Sequence, residues 1–145
     1  MKSGLVVLIG IILISLPQSY AEETESGGYL KINSIDITLK PGYADVSVNY
    51  ALEDAFRFIS LMFGENDLRK RLIDQLGFEN VTIISMNYTD AKIRVFDIQP
   101  IYGDGLYWFP AHEFNSEIPE VTIRTNQTSE HYKKINKLEN GIVYY

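Results

Sequence analysis

Between Tyr29 and Lys40 apolar and polar residues alternate, with Leu30 and Ile32 in one phase and Ile35, Ile37 and Leu39 in the other. Such alternation marks a strand with one buried face, and the slip at Asn33-Ser34 predicts a bulge within it. Lys40-Pro41-Gly42-Tyr43 has turn chemistry, with proline preset for the second position and glycine for the third. Val46, Val48 and Tyr50 then alternate again, so segments 29–40 and 43–52 are expected to form a hairpin.

The period changes after Tyr50. Leu52, Ala55, Phe56, Ile59, Met62 and Phe63 recur at helical spacing, and Glu53 and Asp54 fall in the first turn, where the helix dipole favours negative charge. Gly64 closes this helix. Asn66 is the expected cap of a second helix, in which Leu68, Leu72, Ile73 and Leu76 form the apolar stripe. Gly77 occupies the place of a left-handed C-terminal cap, with Phe78 expected to contact Ile73. Arg69, Lys70 and Arg71 read as the solvated face of this helix.

Strand patterns return at 80–88 and 91–98, flanking a tight turn at Thr89-Asp90. Pro100 breaks the run. Segment 101–109 has a Gly-Asp-Gly turn at its centre, Pro110 to Pro119 reads as a loop, and 120–125 alternates through Val121 and Ile123. Residues 129–139 fit either a weak helix on Tyr132, Ile135 and Leu138 or a polar strand. Asn140-Gly141 is a turn signal, so Ile142–Tyr145 is expected to close a hairpin with the segment before it.

Strands segregated from helices predict an α+β domain: a mainly antiparallel sheet built from a hairpin, two helices and a run of strands, with the helices on one face. A β-sandwich with a helical insertion is the alternative. Neither an internal repeat nor a second domain is visible in the 145 residues.

Composition adds a location. Lys2, the thirteen-residue apolar run Gly4–Leu16, Pro17 and the small-residue pattern Ser19-Tyr20-Ala21 follow the order of an export signal. We expect residues 1–21 to be a signal peptide, or an uncleaved N-terminal anchor, and 22–28 a flexible linker to a single domain at 29–145. The apolar run is shorter than the roughly 18–20 residues that span a bilayer. Cleavage after Ala21 leaves 124 residues and removes Lys2, which moves the net charge from −6 to −7. An acidic surface repels phosphate backbones, so nucleic acid is not an expected partner. The membrane is expected to be engaged only through a retained N-terminal segment. With no cysteine, the chain has no disulfide, thiolate metal site or cysteine nucleophile. Three N-x-T triplets begin at Asn80, Asn87 and Asn126, all at expected element ends, and are candidate N-glycosylation sites.

The most distinctive stretch is Tyr102–Phe114, YGDGLYWFPAHEF, with five aromatic rings, one histidine and two acids. If 105–109 is a strand, Leu106 and Trp108 point one way and Tyr107 and Phe109 the other. Both faces are then apolar, and one of them is available either to the core or to a partner. Tyr102, Tyr107, Trp108, Phe109 and His112 are the candidate binding residues. Flat rings of this kind stack on sugars or anchor protein interfaces. A second candidate is the helix at 55–63, whose Phe56, Phe58, Leu61 and Phe63 leave little polar face. It is either buried on two sides or an interface.

Catalytic chemistry has weaker support. His112-Glu113 lacks the second histidine of a zinc helix, and Asp104 lacks the alternating oxygen ligands of a calcium loop, so neither a metal nor a cofactor is expected. No nucleophile elbow or phosphate loop is present. Asp104, His112 and Glu113 form the one corner that a small secreted hydrolase would use.

The export-like N-terminus, LKPGYADVSVNY, two short helical stretches and YGDGLYWFPAHEF…IPEVTIR together resemble small exported proteins of methanogenic archaea that carry no assigned activity. The resemblance covers most of the mature chain. It implies an envelope location and brings no catalytic residues with it. The function expected is a non-catalytic binding module of the envelope or exterior, with a protein or carbohydrate partner. A small hydrolase and a self-associating structural component of the envelope are the alternatives.

Overall fold

The structure is a computed structural model that describes residues 28–54, 57, 58, 62, 64–101 and 105–145. Among the described residues the chain is mainly β, with one helix element and a mixed six-stranded sheet, which is α+β in the broad sense only. Strands β1 (Leu30–Lys40) and β2 (Tyr43–Leu52) form the expected antiparallel hairpin, and the register shifts between Ile32 and Ser34. Helix α1 (Glu65–Leu76) follows. Then come β3 (Val81–Met86), β4 (Asp90–Val95), β5 (Gln99–Ile101), β6 (Leu106–Phe109), β7 (His112–Arg124), β8 (Ser129–Leu138) and β9 (Ile142–Tyr144).

The large sheet has the order β3-β4-β2-β1-β7-β8, and a smaller sheet has the order β5-β6-β9. Within the large sheet the β1–β7 pair is parallel and the other pairs are antiparallel. One face of the large sheet is apolar. Ile35, Ile37, Leu39, Val46, Val48, Ile93, Val95, Val121 and Ile123 are all buried there. They share one core with Leu68, Leu72 and Leu76 of α1 and with Phe109 and Tyr144 of the small sheet. The opposite face is wet, as expected when cover lies on one side. Arg94 pairs with Asp45 at 2.9 Å and Arg124 with Asp36 at 2.7 Å, and the Arg94 guanidinium lies 4.2 Å above the Tyr43 ring.

Several sequence expectations need correction. Segment 110–119 is not a loop: β7 runs from His112 through it, and Phe114, within the register shift between Glu113 and Ile118, and Ile118, at its end, both drop into the core. Pro119 precedes Val121–Arg124, the stretch that pairs with β1, and the β7–β8 register passes from Ile118↔Ile135 to Glu120↔Lys133 around it. Of the two readings of 129–139 the polar strand holds, as β8 (Ser129–Leu138). Ile142–Tyr144 does not fold back on β8. It pairs with β6 in the other sheet. Asn66 does not cap α1: the helix starts at Glu65, Gly64 holds the cap position at φ 81°, and no side chain caps it. Gly77 is left-handed as expected (φ 72°), and its N–H reaches the Ile73 carbonyl. Of the two expected helices, the second is α1, the one helix element that lies wholly among the described residues. In the first helical segment Asp54, Arg57, Phe58 and Met62 have helical backbone, and its remaining positions lie outside the described residues.

Candidate functional site

The three-stranded sheet carries the aromatic stretch. Register places Gln99, Trp108 and Val143 side by side on one face, and Leu106, two residues before Trp108, shares that outer face. Tyr107, Phe109, Ile142 and Tyr144 alternate to the inner face. Tyr107 stacks on Tyr144 with centroids 5.7 Å apart, and the Tyr144 hydroxyl donates to the Lys40 carbonyl at 2.7 Å, fastening the small sheet to the end of β1. Phe109 is 2% exposed and belongs to the core. It therefore leaves the binding set, since a ring closed off on all sides offers nothing to a ligand. Trp108 is half-buried, and its indole lies against Gly141, where a β-carbon would come within 2.2 Å of the ring. Val143 beside it is 52% exposed. Leu106 shares this face as the alternation predicts, and Val143 completes it; nothing in the sequence marks Val143, because β9 pairs with β6 and not with the segment before it. Tyr102 and Asp104 lie outside the described residues.

His112 is half-buried beneath the C-terminal end of α1. Its Nε2 lies 2.7 Å from the Leu76 carbonyl oxygen, a free acceptor at the helix end, so Nε2 carries the proton and donates it. The imidazole stacks on Phe78 with centroids 4.0 Å apart and planes 11° from parallel, and meets Phe114 edge-on at 4.8 Å. Asn115 Nδ2 donates to the Asp74 carbonyl at 2.6 Å. Two side chains of β7 thus hold the last turn of α1. Burial pulls the His112 pKa below its ordinary value, opposed by the bond to Leu76 and by the charge of Asp97. A concavity of about 240 Å³ lies at this corner, lined by Gly77, Phe78, Glu79, Asp97, Phe109, Pro110 and His112.

Glu113, the next residue, is exposed and on the other side of the strand. The structure does not bring His112 and Glu113 together. No group of three or more metal-ligating side chains occurs among the described residues. Of the helical candidates, Phe56, Leu61 and Phe63 lie outside the described residues. Phe58 is 69% exposed, and Met62, one turn on, is 73% exposed. At these two positions the expectation of a helix buried on two sides fails. A larger cleft of about 540 Å³ opens between the start of β1, the end of β2 and the 116–119 stretch of β7. None of the sequence candidates lines it.

Asn80, Asn87 and Asn126 are all exposed and sit at strand ends or in turns. Among the described residues, no helix is long and apolar enough to cross a membrane. Comparison with family models, with curated proteins and with solved structures found no match to this chain.

Proposed function

We propose that the chain is an exported, non-catalytic binding domain of the cell envelope or exterior that engages a protein or carbohydrate through the outer face of its three-stranded sheet. One observation carries this reading: Leu106, Trp108 and Val143 lie together on the face of that sheet turned away from the core. A half-buried tryptophan flanked by an exposed valine offers a flat apolar contact whose orientation is set by backbone pairing. Trp and Tyr anchors of this type dominate binding energies where they occur. The export-like N-terminus supports the location. The hydrolase alternative loses support, because His112 spends its Nε2 proton on the Leu76 carbonyl and Glu113 points away from it.

A specific observation favours self-association as a second reading: Phe58 and Met62 are exposed one helical turn apart. That reading predicts a mass that rises with concentration and falls back in Phe58→Ser.

Trp108 is the only tryptophan, so its emission reports directly on the proposed surface. Titration with envelope polysaccharide and with solubilised envelope proteins should shift that emission saturably. Trp108→Ala should weaken binding at least tenfold, in line with about 2 kcal/mol for an aromatic anchor, while circular dichroism stays unchanged. Unaltered affinity in a folded Trp108→Ala variant would show that this face is not the site.

A further inference from the structure

We propose that Asn80 and Asn87 carry N-linked glycans that guard the free edge of β3. The inference rests on the export reading above, since the sugar must be added outside the cytoplasm.

Among the described residues, the large sheet ends in two strands with one unpaired side each, β3 and β8. Both edges carry a backbone irregularity, and they differ in charge. On β8, Lys133, Lys134 and Lys137 line the strand, and Lys134 has a left-handed backbone (φ 52°) that breaks the edge. Lysines and irregular backbone are standard means of preventing edge-to-edge pairing. On β3 the sequence is VTIISM, with no charge, no proline and no glycine. It has a register shift between Ile83 and Ser85, and Ile84 is 55% exposed. A six-residue window of high β-propensity and no charge is the composition that templates intermolecular sheets.

The two sequons bracket this strand. Asn80 precedes Val81 and Asn87 follows Met86, so the acceptors stand about 20 Å apart along the edge, from the rise of a strand of this length. A hydrophilic oligosaccharide at each end would exclude a second chain from the row of unpaired backbone groups between them.

Local geometry separates these two asparagines from the third. The Asn80 side chain is exposed and makes no hydrogen bond among the described residues; only its backbone is engaged, with Asp97 and Phe96. Asn87 Oδ1 accepts the backbone N–H of Thr89 at 2.8 Å, the N–H of Asp90 at 2.8 Å and the Thr89 hydroxyl at 3.0 Å. The Thr89 hydroxyl, which also lies 2.6 Å from Asp90 Oδ2, stands beside the acceptor amide, and Asn87 Nδ2 has no bond among the described residues. At Asn126 the reacting nitrogen is occupied, because Nδ2 donates to the Tyr145 carbonyl at 3.1 Å. Thr128 of that sequon is tied to Thr125 by its hydroxyl, its N–H and its carbonyl.

In the transfer, Asn Nδ2 forms a C–N bond to the anomeric carbon of a polyprenyl-phosphate-linked oligosaccharide. The C–O bond to phosphate breaks, the lipid phosphate leaves with the electron pair, and the amide gives up one proton. Nothing is oxidised or reduced.

The test uses the full chain, expressed with its N-terminal segment in a host that has an oligosaccharyltransferase. Glycopeptide mass spectrometry should find sugar on Asn80 and Asn87 at severalfold higher occupancy than on Asn126. In sedimentation the glycosylated chain should stay monomeric. Asn80→Gln combined with Thr89→Ala removes both sequons and keeps the Asn87 turn bonds to backbone. That variant should associate at least tenfold more tightly, and Ile84→Lys added to it should restore the monomer. Should the double variant not fold, the unaltered chain made in a non-glycosylating host serves in its place. An exported chain bare at both asparagines overturns this inference alone, as does an unglycosylated chain that stays equally monomeric. A chain retained in the cytoplasm overturns this inference together with the export reading.

Discussion

A β-carbon on Gly141 would lie 2.2 Å from Trp108 Cζ2 and 2.7 Å from the Phe109 carbonyl oxygen. Glycine is needed here for close approach, not for a left-handed backbone. The indole rests directly on the chain as it passes from β8 to β9, and this contact limits how far Trp108 reaches into solvent. Gly141→Ala must push the ring outward or spread β6 from β9. Overpacking of this kind costs about 1–3 kcal/mol. We expect a lower urea midpoint together with a red-shifted, more readily quenched Trp108 emission. Stability and emission both unchanged would mean that the ring does not pack on Gly141.

At the scale of elements, the C-terminal end of α1 is held from outside. Gly77 returns its N–H to Ile73, Asn115 reaches Asp74, and His112 reaches Leu76. These contacts satisfy carbonyls that a helix end leaves open. His112→Ala removes one donor and the ring stacked on Phe78, and should destabilise the chain by about 1–3 kcal/mol, the usual range for an orphaned polar group. The pH dependence has a definite sign. Burial lowers the folded-state pKa of His112, so the unfolded chain takes up a proton first as pH falls. This contribution to stability is whole above the unfolded value, about 6.5, and is lost as pH drops towards the lower folded value. Chemical denaturation from pH 8 to pH 5 should show this loss in the native chain and not in His112→Gln. Parallel profiles for the two would refute the assignment.

For the whole molecule, three buried tyrosines join distant parts. Tyr29 donates to Asp67 at the start of α1, Tyr50 of β2 donates to the Asn87 carbonyl in the β3–β4 turn, and Tyr144 ties the small sheet to Lys40. Burial is the main cause that pushes all three up to about 12 from an ordinary value near 10. For Tyr29 the hydrogen bond to the Asp67 carboxylate adds to it, for Tyr50 the charge of Asp90, and for Tyr144 the nearby Tyr107. A raised folded pKa gives stability that is complete below about pH 10 and lost as pH rises towards 12. The domain should therefore lose stability across that window. Urea midpoints should fall steeply from pH 10 to pH 12, and Tyr144→Phe should make the fall shallower. A flat profile would contradict the buried, hydrogen-bonded state of these rings.

The sequence by itself determined what depends on neighbours in the chain. The β1–β2 hairpin with its slip at Asn33-Ser34, the left-handed Gly77, the hairpin at 80–95 and the opposed faces of Leu106/Trp108 and Tyr107/Phe109 were all legible. Their signals are periodicity and turn chemistry over a few residues. Tertiary structure alone decided which strands pair across long separations. The parallel β1–β7 pair joins residues more than eighty positions apart, and it draws Phe114 and Ile118 into a core that two flanking prolines had hidden. β8 becomes a strand because β7 offers it a complete edge, and propensity in SEHYKKINKL has too little preference to resist. β9 takes β6 over β8, which turns Gly141 from a hairpin residue into the floor under Trp108. His112 looked chemical in the sequence because histidine types are read by their reactivity. Its partner is a backbone carbonyl thirty-six residues away, and a carbonyl leaves no mark in a string of side chains.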